Sequence, residues 1–233
     1  MTPEQKKLYL AEVKRARLIV SGDDDGKLAG QSRIQMLAAL TRMRQVCCHP
    51  ALVGSEADSG KTSELIPVVQ ELLAEGKKVL LFSQFVKMLE IIKKTLIAEG
   101  VPLHMLTGKT TKREEVVRKF EESVEPSVFL ISLKAGGTGL NLVSASHVII
   151  YDPWWNPAVE AQAIDRAHRI GQHKTVVAVR LVARGTVEER IRELQEKKQA
   201  ITQGVFDEDA FNKSLSTDDI QFLLEDIEDE AGA

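Results

Sequence analysis

The chain has 233 residues, 43% hydrophobic and 28% charged, with a formal net charge of -3 at pH 7. That length buries one substantial core and a small second one, and the mild acidity excludes a global basic signature, so any nucleic-acid contact has to come from a local patch. No apolar run approaches the ~20 residues of a bilayer span, and no secretory leader precedes the first predicted helix. A cytoplasmic or nucleoid location is expected, nuclear in a eukaryote, with no membrane partner.

Thr2-Pro3-Glu4-Gln5 opens the chain with a helix cap: a hydroxyl, proline in the first turn and glutamine three residues after the cap. Leu8, Val13 and Ala16 continue at near-helical spacing until Ser21-Gly22-Asp23-Asp24-Asp25-Gly26 reads as a loop. A second helix is predicted from about Ser32 to Cys47, with Pro50 ending it. Cys47 and Cys48 are adjacent, a poor geometry for a disulfide, and with His49 they do not complete a zinc set. They read as packed thiols in a reducing compartment, and no metal site is predicted.

After Pro50 the rhythm changes. Strands are predicted at Val79–Ser83, Leu103–Leu106, Val128–Ser132, Val148–Tyr151 and Val176–Leu181. Between them run helices near Thr62–Ala74, Val86–Glu99, Thr111–Glu121 and Pro157–Ala167, with Thr111 and Glu114 as a capping box. Consecutive apolar residues in the strands imply burial on both faces, as in a parallel α/β sheet covered by helices. Thr186-Val187-Glu188-Glu189 caps a charged helix to about Gln203, and Thr217–Leu224 is a further short helix. The acidic stretch from Asp207 to Glu230 reads as a solvated end. The predicted organisation is a helical segment at 1–58, an α/β domain at 59–185, and a helix with an acidic tail at 186–233.

Gly60-Lys61-Thr62 and Gly108-Lys109-Thr110 each end like a phosphate loop. The loop also needs a glycine five residues before its second glycine, where Ser55 and Leu103 stand. Both are rejected. Lys61 then reads as an exposed lysine near a helix start. Lys109, in a polar loop near Lys112 and Arg113, either meets a backbone phosphate or is solvated. No apolar run ends in Asp-Glu to hold magnesium, so the chain alone is not expected to hydrolyse ATP.

Gln162-Ala163-Ile164-Asp165-Arg166-Ala167-His168-Arg169-Ile170-Gly171-Gln172 is the most informative stretch. On a helix, Gln162, Arg166 and Arg169 share one face. Two guanidiniums there need an anion opposite. They serve either as arginine fingers on a transferring phosphoryl group or in a network with Asp165 or Glu160. Upstream, the glycines of Ser132-Leu133-Lys134-Ala135-Gly136-Gly137-Thr138-Gly139 follow a strand end, where backbone can approach a ligand or make a tight turn. Trp154-Trp155 serves as a stacking platform, an inter-domain contact or the edge of the core.

Together these pieces resemble the C-terminal RecA-like lobe of the Swi/Snf-type ATPases of helicase superfamily 2. TRMRQVCCHP (41–50) is similar to the helical segment preceding that lobe. VLLFSQF (79–85) resembles motif IV, SLKAGGTGLNL (132–142) motif V and QAIDRAHRIGQ (162–172) motif VI. LTGKTTKREEVVRKF (106–120), DPWWNPAVE (152–160) and GTVEERI (185–191) are also family-like. The closing glutamine of His-Arg-Ile-Gly-Gln favours the DNA-translocase branch over RNA helicases, whose motif usually closes in arginine. The resemblance implies a RecA-like parallel sheet with helices on both faces, plus an N-terminal helical segment and a brace helix at 186–200. It implies arginine fingers at Arg166 and Arg169, and ATP-proximal positions at Gly137, Gly139 and Gln162. It places contacts to the double-stranded DNA backbone in the motifs holding Ser83, Gln84, Thr107, Gly108, Lys109, Arg113, Ser132 and Lys134. ATP and Mg2+ would be held mainly by a first RecA-like lobe, the implied partner, of which this chain would be the excised or split complement. A stand-alone binding module and a lobe of a strand-separating helicase are the alternatives.

Overall fold

The computed structural model describes residues 1–21, 30–136, 140–169, 171–199 and 215–224. The chain divides into two compact units, Met1–Lys61 with Val182–Ala233, and Thr62–Leu181. The predicted first and last segments thus fall in one unit. Gly22 to Gly26 of the predicted first loop lie outside the described residues, and Ser21 closes the helix before it.

In the first unit, α1 (Pro3–Ser21) packs along α2 (Gly30–Cys48). The predicted cap forms in both directions: Gln5 N donates to Thr2 Oγ1 at 3.1 Å, and Thr2 N to Gln5 Oε1 at 3.3 Å. Gln5 is itself fully buried, and its Nε2 donates to the Val46 carbonyl at 2.7 Å, pinning the start of α1 to the end of α2. Tyr9, Val13 and Ala16 of α1 and Met36, Leu40 and Met43 of α2 are buried. Cys47 and Cys48 are free, fully buried thiols. Burial, with the nearby Glu188 charge, pushes the Cys47 thiol well above its ordinary range. His49 caps the following 3-10 turn, Pro50–Val53, by accepting from Ala51 N through Nδ1.

The predicted exposed Lys61 is instead buried in an ion pair, its Nζ 2.7 Å from Glu188 Oε2. Glu188 lies in the first turn of α8 (Val187–Gln199), and the same Oε2 accepts from Ala183 N at 2.8 Å. Tyr9 Oη accepts from Val187 N at 2.7 Å, a second tie on that helix start. Residues 200–203 of the predicted helix lie outside the described residues. α9 (Thr217–Leu224) matches its predicted bounds and packs on α8 and α1, burying Ile220, Leu223 and Leu224.

The second unit is a parallel sheet. Its strands are β1 (Val79–Ser83), β2 (Leu103–Leu106), β3 (Val128–Ser132), β4 (His147–Ile150) and β5 (Val177–Arg180), in the order β2-β3-β1-β4-β5. Every residue of β1 and β3 is buried, so both faces of the sheet centre are covered. The helices of this unit are α3 (Gly60–Ala74), α4 (Val86–Ala98), α5 (Arg113–Glu122), α6 (Leu133–Gly136) and α7 (Pro157–Ile164). α3 begins at Gly60, just before the division between the units. The architecture is the RecA-like α/β fold.

Beyond shifts of one or two residues at element ends, such as those of β4, β5 and α3, three expectations differ from the structure here. β5, the edge strand next to β4, is exposed along its whole length, where its apolar residues led to an expectation of burial. The predicted capping box at Thr111 does not form: α5 starts at Arg113, with Lys112 at the cap position and no side-chain capping bond. The preceding residues are committed to a turn in which Thr110 N donates to the Thr107 carbonyl at 3.1 Å. Helix α7 stops at Ile164, three residues before its predicted end.

Candidate functional site

In an open parallel sheet, ligands gather at the C-terminal strand ends where the strand order reverses. From β1 the chain runs to β2 and β3 on one side, then to β4 and β5 on the other. The reversal therefore lies between β1 and β4. Its two loops are joined by Asp152, which is fully buried. Asp152 accepts from the Ser83 hydroxyl through Oδ1 and from Gln84 N at 3.2 Å through Oδ2. Gln84 Nε2 is buried with no hydrogen-bond partner.

The loop after β4 is rigidly held. Asn156 caps α7 by accepting from Ala158 N at 2.9 Å, with Pro157 in the first turn. Glu160, buried in that turn, accepts from Trp154 N at 2.8 Å and from Arg180 Nε at 2.6 Å. Trp154 and Trp155 are both buried, which matches their reading as core-edge residues.

Arg166 does not stand on a helix. Asp165 is the C-cap of α7, and the chain then turns, so Gln162, Arg166 and Arg169 do not form one helical face. Gln162 is exposed on α7, Arg166 is buried in the turn and Arg169 is exposed. Glu160, offered as a partner for Arg166, is committed to Arg180. Among the described residues Arg166 makes no ion pair, and its Nη1 is buried without a hydrogen-bond partner. Burial first, then the Arg169 charge, lower its pKa; Asp165 opposes them. A buried guanidinium with an unused donor is costly unless an anion completes it.

The remaining sequence-predicted positions divide by exposure. Thr107 Oγ1 accepts from Lys109 N at 3.3 Å, shaping a turn that leaves Gly108 and Lys109 exposed. Arg113 donates to the Ala135 carbonyl at 2.5 Å. Ser83 and Ser132 end β1 and β3 in register, and both are buried; Ser132 Oγ accepts from Ala135 N at 3.4 Å. Gly137, Gly139 and the Lys134 side chain lie outside the described residues. Asp152 and Glu160 carry the loop architecture; the sequence offered Glu160 only as a partner for the arginines and did not single out Asp152, whose available signal was its place just after a strand. Among the described residues, no group of His, Cys, Asp and Glu side chains could hold a metal ion, and no helix is long and apolar enough to cross a membrane.

These features define a helicase-type RecA-like lobe, and residues 61–171 match the family of the helicase conserved C-terminal domain. The C-terminal domain of the Sulfolobus solfataricus SWI2/SNF2 ATPase is 31% identical with a TM-score of 0.76, over 97% of this chain and 95% of that one. The core of that ATPase, solved in complex with dsDNA, is 32% identical with a TM-score of 0.78, over 97% of this chain and 48% of that one. An uncharacterized ATP-dependent helicase of Mycoplasma genitalium is 37% identical over 97% of this chain, which spans 22% of that relative's length. The chain belongs to the SWI2/SNF2 ATPases and corresponds to their C-terminal helicase domain. It spans about a quarter or less of the length of curated relatives from Mycoplasma and Bacillus that it matches.

Proposed function

We propose that this chain is the second motor lobe of an ATP-dependent translocase on double-stranded DNA. The observation that carries the reading is Arg166: a buried guanidinium with an unpaired Nη1, beside a second arginine, and bound to no carboxylate among the described residues. Such a group suits an anion supplied from outside the lobe. The anion is the transferring phosphoryl group of ATP, gripped with Mg2+ by a first RecA-like lobe. Charge developing there would be stabilised by Arg166 and Arg169, an effect worth roughly 10³–10⁵-fold for an arginine finger. Gly137, Gly139 and Gln162 would lie near the nucleotide. On this reading the chain's own residues supply phosphate-directed charge, the grip on ATP and Mg2+ belongs to the first lobe, and the isolated lobe does not hydrolyse ATP.

DNA contact rests on the exposed turn at Gly108 and Lys109, on Arg113 and on the segments at Gln84 and Lys134. Ser83, Thr107 and Ser132 hold those segments in shape. Contacts of this kind track phosphates and do not read bases, so binding is sequence-tolerant and weakens with salt. The dsDNA complex of the Sulfolobus relative supports this reading. The test is DNA-stimulated ATPase in a chain carrying both lobes. Arg166→Ala and Arg169→Ala should each lower kcat by about 10³-fold or more; hydrolysis near the unmutated rate would remove the assignment.

A further inference from the structure

Gln172 closes the motif that carries the two arginines, and its side chain is fully engaged. Nε2 lies 2.8 Å from the Ala145 carbonyl, 2.9 Å from that of Val143 and 3.1 Å from that of Ala167, while Oε1 accepts from Lys174 N at 2.9 Å. An amide nitrogen has two hydrogens, so one is shared between two carbonyls. The backbone brings the side chain there: Gln172 N donates to the Arg169 carbonyl at 2.9 Å, and Gly171 sits at φ 104, which favours glycine. One further bond joins the same segments, from Leu142 N to the Arg166 carbonyl at 3.0 Å.

We propose that Gln172 is the positioning residue that fixes the Arg166–Arg169 turn against residues 142–145, the segment leaving the glycine-rich loop. The proposal rests on the arginine reading above. The position demands a group that donates to carbonyls and accepts from an N–H at the same time. Glutamate offers lone pairs to three carbonyls and repels them. Arginine and lysine donate but cannot accept from Lys174 N. This accounts for a motif that ends in a carboxamide, and it makes the glutamine a fastening of the arginine turn to the preceding motif, without contact to ATP.

The test uses the full-length ATPase. Gln172→Met keeps side-chain length and removes both hydrogen-bonding functions. Displacement of a catalytic group by about 1 Å costs on the order of 10²-fold. The proposal expects kcat to fall by about tenfold or more with KM for ATP within about twofold. A kcat within about twofold of the unmutated enzyme, or a loss appearing in KM, overturns it. If Gln172→Met does not fold, Gln172→Glu decides: its deficit should shrink from pH 8 to pH 6 as the carboxyl gains a donor proton, and an equal deficit at both overturns the proposal. Arg166→Ala is measured alongside. If Arg166→Ala is silent, the arginine reading falls by itself, and Gln172 is judged by amide exchange at Leu142 and Lys174. Exchange accelerated by about tenfold in Gln172→Met supports the fastening role, and unchanged exchange refutes it.

Discussion

The buried pair between Lys61 and Glu188 gives a stability prediction that separates the structure from a surface reading of Lys61. Side-chain exposure is 7% for Lys61 and 0% for Glu188, with nitrogen and oxygen 2.7 Å apart. Lys61→Met removes the ammonium paired with the buried Glu188, whose Oε2 keeps the bond from Ala183 N. Removing one partner of a buried pair typically costs about 3–5 kcal/mol, whereas an exposed pair contributes about 0–1 kcal/mol. With a urea dependence of about 2–3 kcal/mol/M for a chain this size, the transition of this unit should move down by roughly 1–2 M. The double variant Lys61→Met with Glu188→Leu removes both charges and should recover most of that loss, since replacing a buried pair by apolar groups is often neutral. Burial lowers the Lys61 pKa, but the paired Glu188 carboxylate outweighs it and leaves the ammonium above the ordinary lysine value. A raised lysine pKa means stability fully present below the unfolded value of about 10.4 and lost as pH rises through the folded value. The deficit of Lys61→Met should therefore be flat from pH 7 to 9. Urea melts followed by far-UV circular dichroism give the numbers. A single-variant loss under about 1 kcal/mol, or a double variant no better than the single, would refute the reasoning.

Three further outcomes follow from the packing. Thr2→Ala should cost about 1 kcal/mol, the usual value of a lost cap, while Gln5→Ala should cost about 2–3 kcal/mol because it also orphans buried backbone groups near Val46; thermal melts rank the two. Glu160→Ala should cost about 1–3 kcal/mol, read as a lower melting temperature by tryptophan fluorescence, because it removes the acceptor of the bond from Trp154 N. Glu160→Gln, which can still accept that bond, should do less harm. Cys47 and Cys48 should resist a thiol reagent at pH 8 in the folded chain and react at once in denaturant, since both are fully buried and the Cys47 thiol is held neutral; fast labelling of the native chain would contradict the burial.

The sheet was legible because β1 and β3 near its centre are runs of consecutive apolar residues, and these two with the edge strand β2 fall on their predicted residues. The exposure of β5 was not, because Val177 and Val179 look like core valines and only strand order reveals an edge. Gln5 advertised a cap, and its second role at Val46 depends on a partner 41 positions away. Lys61 misled for the same reason, its carboxylate lying 127 positions on. In the arginine stretch the helical geometry expected from spacing does not form: Asp165 ends α7, and turn bonds then carry the chain. Periodicity registers helical spacing and has no means of detecting where tertiary hydrogen bonds stop a helix.

Trapping with ADP and aluminium fluoride, which imitates a phosphoryl group in flight, addresses Arg166 most directly. In a two-lobed chain on DNA, the unmutated protein should hold the mimic stably, whereas Arg166→Ala should bind ADP with unchanged affinity and fail to retain it. Equal retention by both proteins would contradict the account and leave Arg166 as a residue of the fold alone.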